Sequence, residues 1–247
     1  MNDVLKLMSN HRSIRSYKEK DVPNEMIEDI VKAAQWASTS SNLQAYSIIM
    51  IKDPIRKEKL AQLCGNQQHV IDCPVFLVFC GDFNRLLISA NIEKAEHHFD
   101  TVEPFIVATV DAALIAQNVM LAAESYGLGG VYIGGIRNNS KEVSELLNLP
   151  DLVYPVFGMC IGYPDPEKIL EQKPRLPLKA ILHEETYQNE IQEKNILDYN
   201  QVMKHYYETR TSSNRSETWS EYVAKIYKSP RRQHLRGFIE SKGFGFK

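Results

Sequence analysis

Two short runs of cations are spaced for chemistry on an anion. His11-Arg12-Ser13-Ile14-Arg15 sets two guanidinium groups, an imidazole and a hydroxyl within one pentapeptide, and Lys173-Pro174-Arg175 sets two cations on a stretch that proline stiffens. Arginine forks match phosphate oxygens in bidentate geometry. Each run therefore reads either as a phosphate contact or as a solvated basic turn, and the two gain weight together only if they converge. Ser38-Thr39-Ser40-Ser41-Asn42 offers hydroxyls and an amide to a sugar-like chain or the polar edge of a flat ring, or it is an ordinary loop between a helix and a strand. Gln67 is a similar amide donor.

Other patterns exclude chemistry. Gly127, Gly129, Gly130, Gly134 and Gly135 lack the G-x-G-x-x-G spacing, and they follow a helical pattern instead of opening one. A phosphate on a helix N-terminus needs the reverse order. The cluster reads either as a tight turn with close packing or as a backbone approach to a flat ligand, which glycine permits. Glu93, Glu96, His97, His98 and Asp100 show no recognised metal-ligand spacing, so no metal is expected. No G-x-S-x-G elbow supports a serine hydrolase. Cys64, Cys73, Cys80 and Cys160 form no C-x-x-C pair and read as inert core thiols of a reduced compartment.

The elements that must position these groups follow from periodicity. The chain has 247 residues and a formal net charge of −2, enough for a sizeable core and without the field that nucleic-acid binding needs. The apolar start is short and broken by Lys6, unlike a secretory signal. The long apolar segment Phe105 to Ala123 carries Asp111, Gln117 and Asn118, which argues against a membrane span and for a soluble cytoplasmic protein. Helices are expected at 4–9, from Pro23, at 54–63, 110–125, 198–209 and 219–227, a buried strand at 47–51, a central strand at 74–80, a strand and turn at 130–135 and another strand at 154–163. The stretch 83–103 is read as helical and partly mobile, and 164–177 as an extended arm. Strands that are few, and not in regular alternation with helices, favour an α+β fold. Helix 110–125 is apolar around most of its surface, as a core or subunit-interface helix is.

In order, HRSIRSY, SSNLQAYS, GNQQHV, GLGGVYIGG, KPRLP and TRTSSNRSETWS resemble the oxygen-insensitive nitroreductase and flavin reductase family, in its longer NADPH-linked branch with a helical C-terminal extension. The Ala45-Tyr46 pair after Gln44, where the shorter branch commonly has Pro-Trp, suits the longer branch. The resemblance covers nearly the whole chain. It implies one domain over 1–247 with the extension at about 190–247, and a small mixed β-sheet surrounded by helices. It also implies an intertwined homodimer with FMN (flavin mononucleotide) at the subunit interface. Its cofactor residues would be His11, Arg12, Ser13, Ile14, Arg15, Ser40, Ser41, Gln67, Tyr132, Ile133, Gly134, Gly135, Lys173 and Arg175. Arg210 and Arg215 would flank a mobile loop that takes NADPH. The implied reaction carries hydride from NADPH or NADH through FMN to free flavin, nitroaromatics, quinones or similar acceptors, so no protein residue need do the covalent step. The rival reading is a flavin-binding or flavin-delivery protein with little turnover of its own.

Overall fold

The uninterrupted apolar run after Pro74 becomes the middle of a four-stranded sheet. In the computed structural model, which describes residues 1–211 and 215–247, the strands are β1 (Tyr46–Ile51), β2 (Val75–Asp82), β3 (Gly129–Ile133) and β4 (Val153–Gly162), in spatial order β1-β2-β4-β3. Every residue of β2 is buried. Val75, Leu77 and Phe79 enter one apolar cluster, and Phe76, Val78 and Cys80 enter another. A strand covered on both faces reads as a continuous apolar run.

Two expectations for the sheet change. The three ladders are antiparallel, where a mixed sheet was expected. The parallel pairing is one isolated bridge, Ser13–Gly130, because the N-terminal segment follows β3 without enough pairing to make a strand. β1 reads as buried from its apolar composition, but it lies at the sheet edge, where Met50 is exposed.

The chain divides into two compact units, Met1–Ile169 with Arg232–Lys247, and Leu170–Arg231. The first holds the sheet and helices α1 (Asp3–Ser9), α2 (Asn24–Ala34), α3 (Pro54–Leu63), α4 (Gln68–Asp72), α5 (Asn84–Ile92), α6 (Val102–Ser125) and α7 (Ser140–Leu146). Asp53 caps α3 by accepting the Arg56 N–H, with Pro54 at the first turn. α6 lies on one face of the sheet with α2, and its alanines at 108, 112, 116 and 123 are all buried. α3, α4 and α7 cover the other face. By length and composition α6 could cross a membrane, but here it is a core helix packed on β1, β2 and β3. It begins two turns before the expected start and leaves Val102, Ile106, Val110 and Leu114 in one i, i+4 row, each 38–48% exposed.

The second unit holds α8 (Gln192–Thr209) and α9 (Trp219–Tyr227). Thr218 and Glu221 form a reciprocal capping box at the start of α9. The chain then returns to the first unit with α10 (Leu235–Ser241). Phe244 packs edge-on against Phe83 and Tyr154 in the first unit's core.

Candidate functional site

The first unit brings the His11–Arg15 segment against the glycine-rich turn. The Ile14 N–H donates to the Gly130 carbonyl at 2.9 Å. A Cβ on Gly129 would stand 2.5 Å from Ile14 Cγ1, so the segment can lie on β3 only because residue 129 has no side chain. His11 Nδ1 sits 2.6 Å from Glu124 Oε1 at the end of α6. Arg12 donates to the Asn10 carbonyl at 3.1 Å, and the Tyr17 hydroxyl donates to the Ile14 carbonyl at 2.7 Å. Ser13 and Arg15 are exposed.

Gln67 and the Gly134–Gly135 turn meet beside this segment's neighbour, α4. Gln67 Nε2 donates to the Cys64 carbonyl at 2.8 Å. A Cβ on Gly135 would lie 2.4 Å from that carbonyl oxygen and 2.5 Å from Gln67 Nε2. Gly135 therefore serves close packing. At Gly134 the nearest atom to an added Cβ is Arg137 Nη2 at 3.4 Å, so that position retains room. Tyr132 is partly exposed and packs edge-on against Phe157, and Ile133 is buried. The glycine cluster thus divides between the two readings: positions 129, 130 and 135 are packing glycines, and 134 is open.

His69 on α4 is a candidate site residue that motif reading missed. Its Nε2 is buried without a hydrogen-bond partner. Burial first, and the Arg15 charge second, hold the imidazole below its ordinary pKa, with Asp72 opposing. A buried unpaired polar atom costs about 1–3 kcal/mol unless something satisfies it. Nothing local in GNQQHV distinguishes His69, because its significance lies in burial and in the approach of Arg15 from 54 positions earlier.

Ser40 and Ser41 lie elsewhere on the first unit. Both are exposed, and Ser41, Asn42 and Gln44 have φ of 47°, 59° and 54°. Three non-glycine residues in the left-handed region mark a loop held by its surroundings. Asp111, 1% exposed, provides the hold: its two oxygens accept the Ser40 and Ala45 N–H groups, each at 3.0 Å. Arg85 ties the other end by donating to the Gln44 and Tyr46 carbonyls, each at 3.2 Å. Along α6, Asp111 and Glu124 are about 20 Å apart at 1.5 Å per residue. The serine loop and the His11 segment are therefore not brought together within one chain. Asp111→Ala should leave the buried Ala45 N–H and the part-buried Ser40 N–H unpaired and destabilise the protein by about 3 kcal/mol. A melting point lowered by roughly 6–12 °C is expected, whereas an unchanged melting point would show that the loop does not depend on this carboxylate.

The second unit gathers the remaining cations around one ring. Tyr207, nearly buried on α8, has the Arg215 guanidinium 4.1 Å from its centroid, Arg210 at 4.9 Å and the Lys173 ammonium at 6.0 Å. Arg175 is exposed and donates to the Lys173 carbonyl at 2.9 Å. Cations stack favourably on an aromatic face, but three so close repel one another, and an anion would relieve that repulsion. Of the loop expected to be mobile, residues 212–214 lie outside the described residues. Tyr207 was also missed, since one tyrosine of a Tyr-Tyr pair carries no local signature.

The four cysteines are free and buried, as their apolar context implies. Among the described residues no group of three or more metal-ligating side chains is placed to hold an ion.

Comparison with known proteins gives a consistent result. The model of the nitroreductase family matches residues 8–163, and that of the nitroreductase family C-terminal domain matches residues 173–247. The chain is 43% identical over 249 residues to an FMN reductase (NADPH) of Bacillus subtilis (strain 168), covering 99% of each. It is 41% identical over 244 residues to a Cr(VI) reductase of Pseudomonas sp. (strain G-1), covering 99% of this chain and 100% of that one. The solved structure of B. megaterium NfrA2 matches with a TM-score of 0.96 at 39% identity, covering 100% of both chains.

Proposed function

The chain belongs to the nitroreductase family, and on that basis we propose that it is an FMN-containing oxidoreductase. It takes NADPH, and also NADH, as donor and reduces free flavin, nitroaromatics, quinones or similar acceptors. The whole chain acts as one FMN-dependent domain, a reading supported by relatives that match it end to end, and the cytoplasm is its expected compartment.

The observation that carries this reading is the buried, unpartnered His69 Nε2 beside the Arg15 charge, next to the loop that Gln67 ties against Gly135. These residues fit FMN: they offer a cation for a phosphate, a neutral donor or acceptor for a polyol or ring edge, and open backbone at Gly134. His11, Arg12, Ser13, Ile14 and Arg15 would hold the phosphate end with Lys173 and Arg175. Gln67, Tyr132, Ile133, Gly134 and Gly135 would line the ring. When bound, FMN supplies hydride acceptance and two-electron delivery, the chemistry that no side chain here performs.

The chain's own residues position and exclude. Gln67 and Gly135 would set the floor for a flat ring, and the Arg15 guanidinium would neutralise phosphate charge. The Ser40–Ser41 loop, about 20 Å along α6 from Glu124, would reach the site from a second copy of the chain. That makes the active unit a homodimer, supported by the exposed apolar row on α6. Arg210 and Arg215 would take the 2′-phosphate of NADPH.

Donor and acceptor would use the same pocket in turn. Steady-state rates with NADPH and a quinone should then give parallel double-reciprocal lines. The purified protein should be yellow with about one FMN per chain. Intersecting lines would mean that both substrates bind together and would overturn the shared pocket. A chain that binds FMN without turnover would overturn the enzymatic reading.

A further inference from the structure

The cation cluster of the second unit already has a carboxylate in place. We propose that Glu217 sets the affinity for the donor's 2′-phosphate by competing with it for Arg215; this rests on the donor-site reading above. Arg215 Nη1 lies 3.0 Å from Glu217 Oε2. The residues are only two positions apart, and the contact lacks hydrogen-bond alignment: Glu217 Oε2 is buried with no hydrogen-bond partner. The Glu217 side chain is 16% exposed, so this charge is held mostly out of water, with the Arg215 ion pair at its Oε2. A buried carboxylate whose oxygen lacks a donor is poorly compensated. It is therefore the partner that an incoming phosphate displaces most easily.

The surroundings make the exchange local. The Arg215 guanidinium also lies 4.1 Å from the Tyr207 ring centroid, a contact that holds its position while its anionic partner changes. A phosphate brings more charge and several acceptor oxygens to that edge, and a guanidinium binds them as a fork. Glu171 is the contrasting case. It accepts the Thr211 N–H at 2.9 Å. Backbone hydrogen bonds, its own and that of Thr211, chiefly hold its carboxyl below the usual range, with a contribution from Arg210. Glu171 is satisfied by amides, so it anchors the start of the loop and does not exchange. Glu217 is not satisfied in this way. NADH presents a hydroxyl where NADPH has the phosphate, and a hydroxyl cannot displace a carboxylate from arginine. The effect of Glu217 should therefore fall on phosphorylated donors alone.

The test is a gain of affinity, which a misfolded variant cannot mimic. Adenosine 2′,5′-bisphosphate and 5′-AMP are titrated calorimetrically into the FMN-loaded protein and its Glu217→Gln variant. Loss of an ion pair whose arginine side chain is 41% exposed should tighten the bisphosphate about fivefold and leave 5′-AMP within about twofold. In an Arg215→Ala background, Glu217→Gln should change neither ligand, because the competition needs the guanidinium. Unchanged or weaker bisphosphate binding in Glu217→Gln overturns the inference and leaves the donor site standing. A wild-type protein that binds the bisphosphate no better than 5′-AMP overturns the donor-site reading, and the inference with it.

Discussion

Replacing Val110 and Leu114 together by glutamate is expected to turn a dimer into a monomer and to strip the protein of FMN. Both side chains belong to the exposed row Val102, Ile106, Val110 and Leu114 on α6. The opposite side of the helix is already buried on the sheet, so the row can be covered only by something outside this unit's own core. In the proposed homodimer a second copy would cover it symmetrically. Four carboxylates brought into such an interface, two from each copy, would have to be buried without partners. That costs several kcal/mol for each charge, more than the apolar row contributes at about 25 cal/mol per Å². FMN loss should follow because the serine loop and the His11 segment sit about 20 Å apart along α6. Sedimentation at micromolar concentration, with the flavin absorbance followed in the same run, reads both effects. A variant monomer that stays yellow and active would defeat the two-chain site. A wild-type monomer would defeat the dimer.

Arg15→Ala should weaken FMN binding by about 10- to 150-fold, the equivalent of one charge-assisted bond of about 1.5–3 kcal/mol. Arg175→Ala should act in the same range if the Lys173–Arg175 arm holds the same phosphate. Riboflavin has no phosphate and supplies the control: its affinity should change little in either variant. Loss of the Arg15 charge also removes one of the two influences that depress His69. The imidazole titration should therefore move upward in the variant, which proton NMR of the His69 ring can follow. Equal weakening of FMN and riboflavin would mean that Arg15 shapes the pocket without contacting phosphate. An unmoved His69 would mean that the two residues are not coupled.

Much of the fold was legible because its signals are local. β2 is a pure apolar run, α3 begins on Asp53-Pro54, and α9 begins on a capping box, so each was read close to its observed limits. α4, α7 and α10 span only 5–7 residues, less than two turns, and show no period that a sequence can reveal. β1 was read as buried because composition does not distinguish an edge strand from a central one. The early start of α6 was missed although Val102 and Ile106 continue its i, i+4 apolar row.

The sequence alone determined the chemistry on offer: the two arginine-bearing runs, the glycine turn, the serine loop, and six motifs in an order that resembles one family. These depend only on residue type and spacing along the chain. The tertiary structure decided which of them meet. It set the His11–Arg15 segment on Gly129 and Gly130, sorted packing glycines from the open one at 134, and left His69 Nε2 buried and unpaired. It also gathered Lys173, Arg210 and Arg215 on Tyr207, and placed the serine loop far along α6 from the His11 segment. Burial, charge proximity and steric contact here join residues from a few to more than a hundred positions apart. They arise only when the sheet and α6 fix those residues in space, so no local pattern could have carried them.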